Sequence, residues 1–371
     1  MNSTAKKQHS NQAICKISKL MALAILSSMT LFVACKPNEP IPEPEQGEYW
    51  NATDDPYGIA VNPYNGDLII TTNGGNLVAG DCYVYDFELK KRLNAATVGM
   101  FPSAIAAIDA DRFLVLNEGS WGANNASLSL VDANGGNVIN NWFSQHNGRG
   151  LGDIAQDINI YGTKTYVCVS FSNSFEAINT SSGTSTRFST EEHAQKPRYM
   201  AADGGNVYIS CYSPACVLRF DTATQSFTGS CAVGNFNPEG ICALDGKLYV
   251  CSSNISDENY NYSYNNKLYV IDINSFSLCD SITVGYNPSK VKVLDDNHLV
   301  VNNWGDYENN EAGTWLIDVN SKSASKLDIT FYNFDTYRGN IYGYTSPYDG
   351  GVRFYKMNPI ANSRTEILAR P

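Results

Sequence analysis

The residues able to do bond-making chemistry in this chain are few and unevenly placed. Four histidines serve 371 residues, so catalysis by several imidazoles has little to draw on. A serine-type hydrolase needs a nucleophile beside a base that an acid orients. No Gly-x-Ser-x-Gly occurs, and His193 and His298 have no recognisable nucleophile near them in sequence. Glycoside hydrolysis needs paired carboxylates across a cleft. Asp257, Glu258, Asp306, Glu308 and Glu311 could form such a pair or hold calcium. They sit in Asn-rich stretches where solvated acids are the simpler reading, without the spacing of a calcium loop. Cysteine chemistry is equally thin. No Cys-x-x-Cys occurs, so neither zinc nor another metal or cofactor is indicated. Most cysteines fall inside apolar strand patterns, as small buried hydrophobes do. Only Cys211 and Cys216 flank a short loop and could bridge.

Recognition chemistry is better supplied. The segments 71–81, 117–126, 170–174, 211–215, 252–266, 302–313 and 345–351 are rich in Asn, Gly, Tyr and Trp. So are the shorter stretches 99–102, 144–153, 234–238 and 285–288. Amide groups fix a ligand by hydrogen bonds while aromatic faces pack on its flat parts. The candidate contacts are Trp121, Asn124, His146, Arg149, Tyr212, Tyr262, Trp304, Tyr307 and Tyr348. No catalytic residue is assigned.

These segments share a surface only if the intervening elements bring them there, and the chain is repetitive enough to do so. An apolar strand ending in Asp or an equivalent recurs at Asp86, Asp132, Asn179, Asp221, Asp272 and Asp318, with a degenerate copy ending at Tyr355. The steps are 46, 47, 42, 51, 46 and 37 residues. Most copies are preceded by a Pro-led inner strand: Pro56-Tyr57-Gly58, Pro102-Ser103-Ala104, Pro197-Arg198-Tyr199, Pro238-Glu239-Gly240 and Pro288-Ser289-Lys290. Between them lie alternating strands such as RFLVL and KLYVCS. Four strands per repeat, seven times over, predict an all-β seven-bladed β-propeller with four-stranded antiparallel blades. In that architecture the aromatic segments join second to third strands, or one blade to the next, and gather on one face. The plain turns, such as Asp245-Gly246-Lys247, gather on the other. The recurring Asp is expected to cap the turn after its strand.

The first 35 residues read as an address. Lys6, Lys7, Lys16 and Lys19 precede an apolar run from Leu20 to Val33, and Ala34-Cys35 follows. Fourteen residues suit a signal peptide, whereas a spanning helix needs ~20. The ending resembles a bacterial lipobox, which implies lipidation at Cys35. The predicted organisation is a leader over 1–35, a Pro/Glu-rich tether over 36–48 and a propeller over 49–371, held at an outer membrane through its lipid and exposed at the cell surface. The chain carries net charge −11, and its first 35 residues hold four lysines and no acid, leaving −15 for the remainder. Such a surface repels phosphate backbones and argues against nucleic-acid binding.

The phrases Leu116–Asp132 (LNEGSWGANNASLSLVD) and Leu151–Ile160 (LGDIAQDINI) resemble the YncE-like propeller lipoproteins of Bacteroidetes. The resemblance runs from about Tyr49 to the C-terminus. Some members of that family capture cobalamin at the cell surface and pass it to a TonB-dependent outer-membrane transporter. The resemblance therefore implies a non-enzymatic protein whose ligand is a corrinoid and whose partner is such a transporter. It transfers no contact residue. A scaffold for protein or glycan binding through the same face is the alternative.

Overall fold

The alternating apolar repeats form strands throughout the computed structural model, which describes residues 48–49, 55–74, 78–86, 88–346 and 351–369. The predicted leader with Cys35, nearly all of the predicted tether and Tyr348 lie outside those residues. Blade 1 shows the pattern: an inner strand Pro56–Val61, a second Leu68–Thr72, a third Ala79–Tyr85 and an outer Lys91–Met100. They pair in sequence order. Six further four-stranded meanders follow over 102–139, 155–189, 195–232, 238–283, 288–326 and 333–369. The fold is a seven-bladed β-propeller. The single α-helix of the described residues, Trp142–Asn147, lies between blades 2 and 3.

Burial explains why a lone blade would not fold. Strand Leu68–Thr72 is buried along its whole length, whereas outer strand Ser323–Lys326 is mostly exposed. A sheet apolar on both faces must be covered on both. The described residues accordingly form seven apolar clusters, one at each blade–blade junction. The junction that closes the ring joins Ile70, Tyr83 and Tyr85 of blade 1 to Tyr342, Tyr344 and Phe354 of blade 7. Glu48 and Tyr49 add a fifth strand to blade 7, parallel to its outer strand Ser363–Ala369.

The recurring acid is a turn cap. Asp132 Oδ1 accepts from the Asn134 and Gly135 amides, Asp221 Oδ1 from Ala223 and Thr224, and Asp318 Oδ1 from Asn320 and Ser321. Asn179 does the same for Ser181 and Ser182. The seventh cap is Asn358, which accepts from the Ala361 amide. The sequence repeat had placed it at Tyr355, within the strand. The step from Asp318 is therefore 40 residues and the array is more regular than its sequence.

Two local features shape the axis. Six of the seven inner strands carry a β-bulge near their start, after Pro56, Pro102, Ala155, Pro197, Pro238 and Pro288. A bulge re-aims side chains next to a site. Close approach of neighbouring inner strands also selects glycine. A Cβ at Gly58 would lie 2.9 Å from Pro102 O, and one at Gly240 2.8 Å from Ser289 O. Cys211 and Cys216 face each other directly across a strand pair as buried free thiols.

Candidate functional site

The inner strands enclose a cavity of about 1000 Å³. Aromatic residues from the loops, Trp121, Phe171, Trp304 and Tyr332, line it together with Tyr57 and Tyr199 of the inner strands. Glu118, Gln156, Asp157, Arg198, Lys290, Lys292, Asn333 and Asp335 supply its polar surface. This polar belt comes from blades 2, 3, 4, 6 and 7.

Nearly every charge in the belt is satisfied by a neighbouring blade. Arg198 donates through Nε and Nη2 to Glu239 Oε2 at 3.2 and 3.1 Å, and Tyr212 Oη donates to the other carboxylate oxygen. The guanidinium also lies over the Tyr199 and Tyr212 rings at 5.4 and 4.9 Å. Lys292 pairs with Asp335 at 3.3 Å, and Asp335 Oδ2 accepts the Val61 amide of blade 1 at 2.9 Å. Asp157 Oδ2 accepts the Met200 amide of blade 4 at 2.9 Å. Lys290 donates to Asn333 Oδ1 at 2.7 Å and lies over the Phe334 ring. Asn333 in turn donates to Tyr57 O at 2.8 Å, tying blade 7 to blade 1. Glu118 accepts from Gln156 Nε2 at 2.8 Å and from Tyr57 Oη at 3.3 Å.

Burial sets the titration of these groups. It pushes the Asp157 carboxyl up to about 6 and raises Glu118. Burial, with the neighbouring Lys292 ammonium, lowers Lys290 to about 7. Against burial, Lys292 and Lys290 hold Asp335 below its ordinary value. A pH signature follows. Between the ordinary aspartate value of 3.8 and about 6, the native state holds the Asp157 proton more tightly than the unfolded chain. That group makes stability fall as pH rises through this interval. From about 7 to the ordinary lysine value of 10.5, the unfolded chain binds the extra proton at Lys290, so stability rises with pH. Urea midpoints across this range are expected to lose the acid limb in Asp157→Asn and the alkaline limb in Lys290→Met. Limbs unchanged from wild type would assign them to other groups.

The sequence-predicted contacts divide into three groups. Trp121 and Trp304 line the cavity, and Trp121 is 78% exposed. Tyr212 reaches its edge through Glu239 and Arg198. Tyr262 and Tyr307 lie outside the cavity walls with Tyr264 between them, its ring 6.2 Å from Tyr262 and 5.9 Å from Tyr307. Asn124 is exposed in its loop with a φ of 53° and is likewise not in the wall.

The structure places His146 and Arg149 outside the cavity wall, in packing contacts. His146 belongs to helix α1, Trp142–Asn147, which buries Trp142 and Phe143 in the junction of blades 2 and 3. Its Nδ1 contacts Trp142 O at 2.7 Å and its ring lies against Trp142. Arg149 forms a two-toothed pair with Glu176 at 2.7 and 2.8 Å, and Arg187 Nε donates to the same carboxylate. The Glu176 side chain is wholly buried, so a paired guanidinium is what makes its charge tolerable there.

The sequence reading passed over the belt itself. Arg198, Glu239 and Lys290 stand inside the Pro-led inner-strand phrases, and a charge in an otherwise apolar strand was the available signal. Among the described residues, no three His, Cys, Asp or Glu side chains gather as metal ligands would.

Comparison with known proteins adds a family and a fold. A family model described as a domain of unknown function (DUF5074) matches residues 111–331, more than half of the chain. No curated protein matches the sequence. Among solved structures, the chain is similar to the computationally designed Ika8 protein. The two share 7% identity at a TM-score of 0.59, over 84% of this chain and 86% of that one. At that identity the likeness concerns fold alone.

Proposed function

The chain belongs to the DUF5074 family, a domain of unknown function, and we propose that it is a non-enzymatic propeller that binds a small organic ligand at the mouth of its axial cavity. One observation carries this reading. The recess of about 1000 Å³ is walled by two of the loop tryptophans that the sequence nominated, Trp121 and Trp304. Ligand sites are concave and combine aromatic side chains with placed polar groups, and both kinds of residue line this recess. Rigid rings also limit the entropy lost on binding. Turnover is not invoked, because Arg198 and Lys292 are committed to carboxylates, and Asp157 to backbone amides.

The resemblance to YncE-like lipoproteins of Bacteroidetes supports the finer proposal. The ligand is a corrinoid, and the protein, lipidated at Cys35 on the outer-membrane surface, passes it to a TonB-dependent transporter. A corrinoid is broad, amide-fringed and partly flat, which suits a mouth of this kind. Calorimetric titration with cyanocobalamin and cobinamide tests it. Saturable heat is expected, with an affinity that falls by about tenfold or more in Trp121→Ala or Trp304→Ala, the scale of a lost aromatic anchor. Absence of both heat and an absorbance change would remove the corrinoid.

A second reading has its own observation. Tyr260, Tyr262 and Tyr307 are exposed outside the cavity, as a platform for a protein or glycan partner would be. Tyr262→Ala with Tyr307→Ala separates the two readings, since it spares the cavity walls.

A further inference from the structure

Asp157, Lys290 and Glu118 are the cavity charges whose hydrogen-bond partners are neutral. Arg198 is matched by Glu239 and Lys292 by Asp335. Glu118 has only the Tyr57 hydroxyl and the Gln156 amide as hydrogen-bond partners. Arg198 attracts it across the cavity, but the guanidinium's hydrogen bonds go to Glu239. Glu118 is half-buried, and a carboxylate held there by neutral donors keeps part of its desolvation cost.

Two more buried oxygens nearby lack partners. Ser103 Oγ belongs to a residue of the same cavity wall. Asp153 Oδ1 is the second, and the other oxygen of that carboxylate accepts the Gly122 amide at 3.0 Å, beside Trp121. The Ser103 hydroxyl can donate or accept, and Asp153 is not among the residues of the cavity wall. Aromatic faces complete the setting. Tyr57 and Trp121 line the cavity, and Trp121 meets Phe171 edge-on at 6.5 Å between centroids. Ring faces attract cations, most strongly where water is excluded. The net charge of −15 beyond the first 35 residues, −11 less the four leader lysines, draws cations to the surface.

We infer that the mouth selects ligands bearing an organic cation, an ammonium or quaternary ammonium group, with Glu118 as its counter-charge and Trp121 and Tyr57 as its walls. This inference deepens the ligand-binding reading and rests on it. The cation supplies the charge partner that Glu118 lacks, and the rings contact its alkyl surface.

Choline and its uncharged carbon isostere, dimethylbutanol, test the selection, because they share a shape and differ in charge. Each is titrated into the protein, with tryptophan fluorescence reporting on the mouth and cyanocobalamin as a parallel ligand. Choline is expected to saturate the signal and to bind about tenfold or more tightly than the isostere. Glu118→Gln retains an acceptor for Tyr57 and is expected to erase that preference, while Trp121→Ala abolishes the response. Equal binding of the two compounds overturns the inference. So does a choline response indifferent to Trp121→Ala, which would put the cation elsewhere. Cyanocobalamin binding without choline binding overturns the cation alone and leaves the ligand mouth standing. Binding of none of the probes overturns both.

Discussion

Phe220→Ala is expected to lower the free energy of unfolding by about 3–5 kcal/mol, the range for truncating a buried aromatic side chain. Phe220 is fully buried where blade 3 meets blade 4. Its ring lies 4.9 Å from Phe188, 5.0 Å from Phe175, 5.3 Å from Phe227 and 6.4 Å from Tyr166, mostly edge to face. Alanine would leave a cavity that the four neighbouring rings cannot refill without departing from their own rotamers. The closed ring gives the loss a particular form. No blade buries its faces alone, so opening one junction exposes two sheets together. The urea midpoint is therefore expected to fall with an unchanged slope. Phe220→Leu, which keeps most of the volume, is expected to cost less than half as much. A Phe220→Ala loss below about 1 kcal/mol would mean that this junction relaxes and does not hold the blades by packing.

The fold was legible in the sequence because both of its periodicities are local. Alternation within RFLVL or KLYVCS marks a strand, and the recurring Asp marks a turn that needs its carboxylate. Where the capping side chain was Asn358, the repeat was misread by three residues, since Asn at the end of Tyr355-Lys356-Met357 carries no apolar signature of its own. The mouth was legible in part. Trp121 and Trp304 announced themselves as large apolar residues in polar loops, and both line the cavity. The packing contacts of His146 and Arg149 are ones that composition cannot reveal. Their partners, Trp142 O and Glu176, depend on a short helix and on a carboxylate 27 residues away. The charged belt was hidden differently. Arg198, Glu239 and Lys290 sit next to bulges, and a single extra residue in a strand reverses which face its side chains take. Only the closed ring shows that these charges meet.

A double-mutant cycle on Arg198 and Glu239 gives the second large effect. Both side chains are mostly buried, 17% and 11% exposed. Removing one partner of such a pair leaves the other charged without compensation, at a cost of about 3–5 kcal/mol. The two single variants are not equivalent. In Glu239→Gln the guanidinium still rests on the Tyr199 and Tyr212 rings, and the amide oxygen can still accept from it. In Arg198→Met the Glu239 carboxylate keeps only the Tyr212 hydroxyl among its side-chain partners here. Arg198→Met is thus expected to be the more destabilising change. Adding Glu239→Gln to Arg198→Met removes the stranded charge and is expected to restore most of the loss, leaving a coupling energy of about 2 kcal/mol or more. Urea unfolding of the four proteins measures it. Strictly additive losses would show that the pair is not coupled and that Tyr212 alone makes the buried carboxylate tolerable. A measured coupling would instead establish that the belt joins blade 4 to blade 5 through charge, in addition to the packing that holds the blades elsewhere.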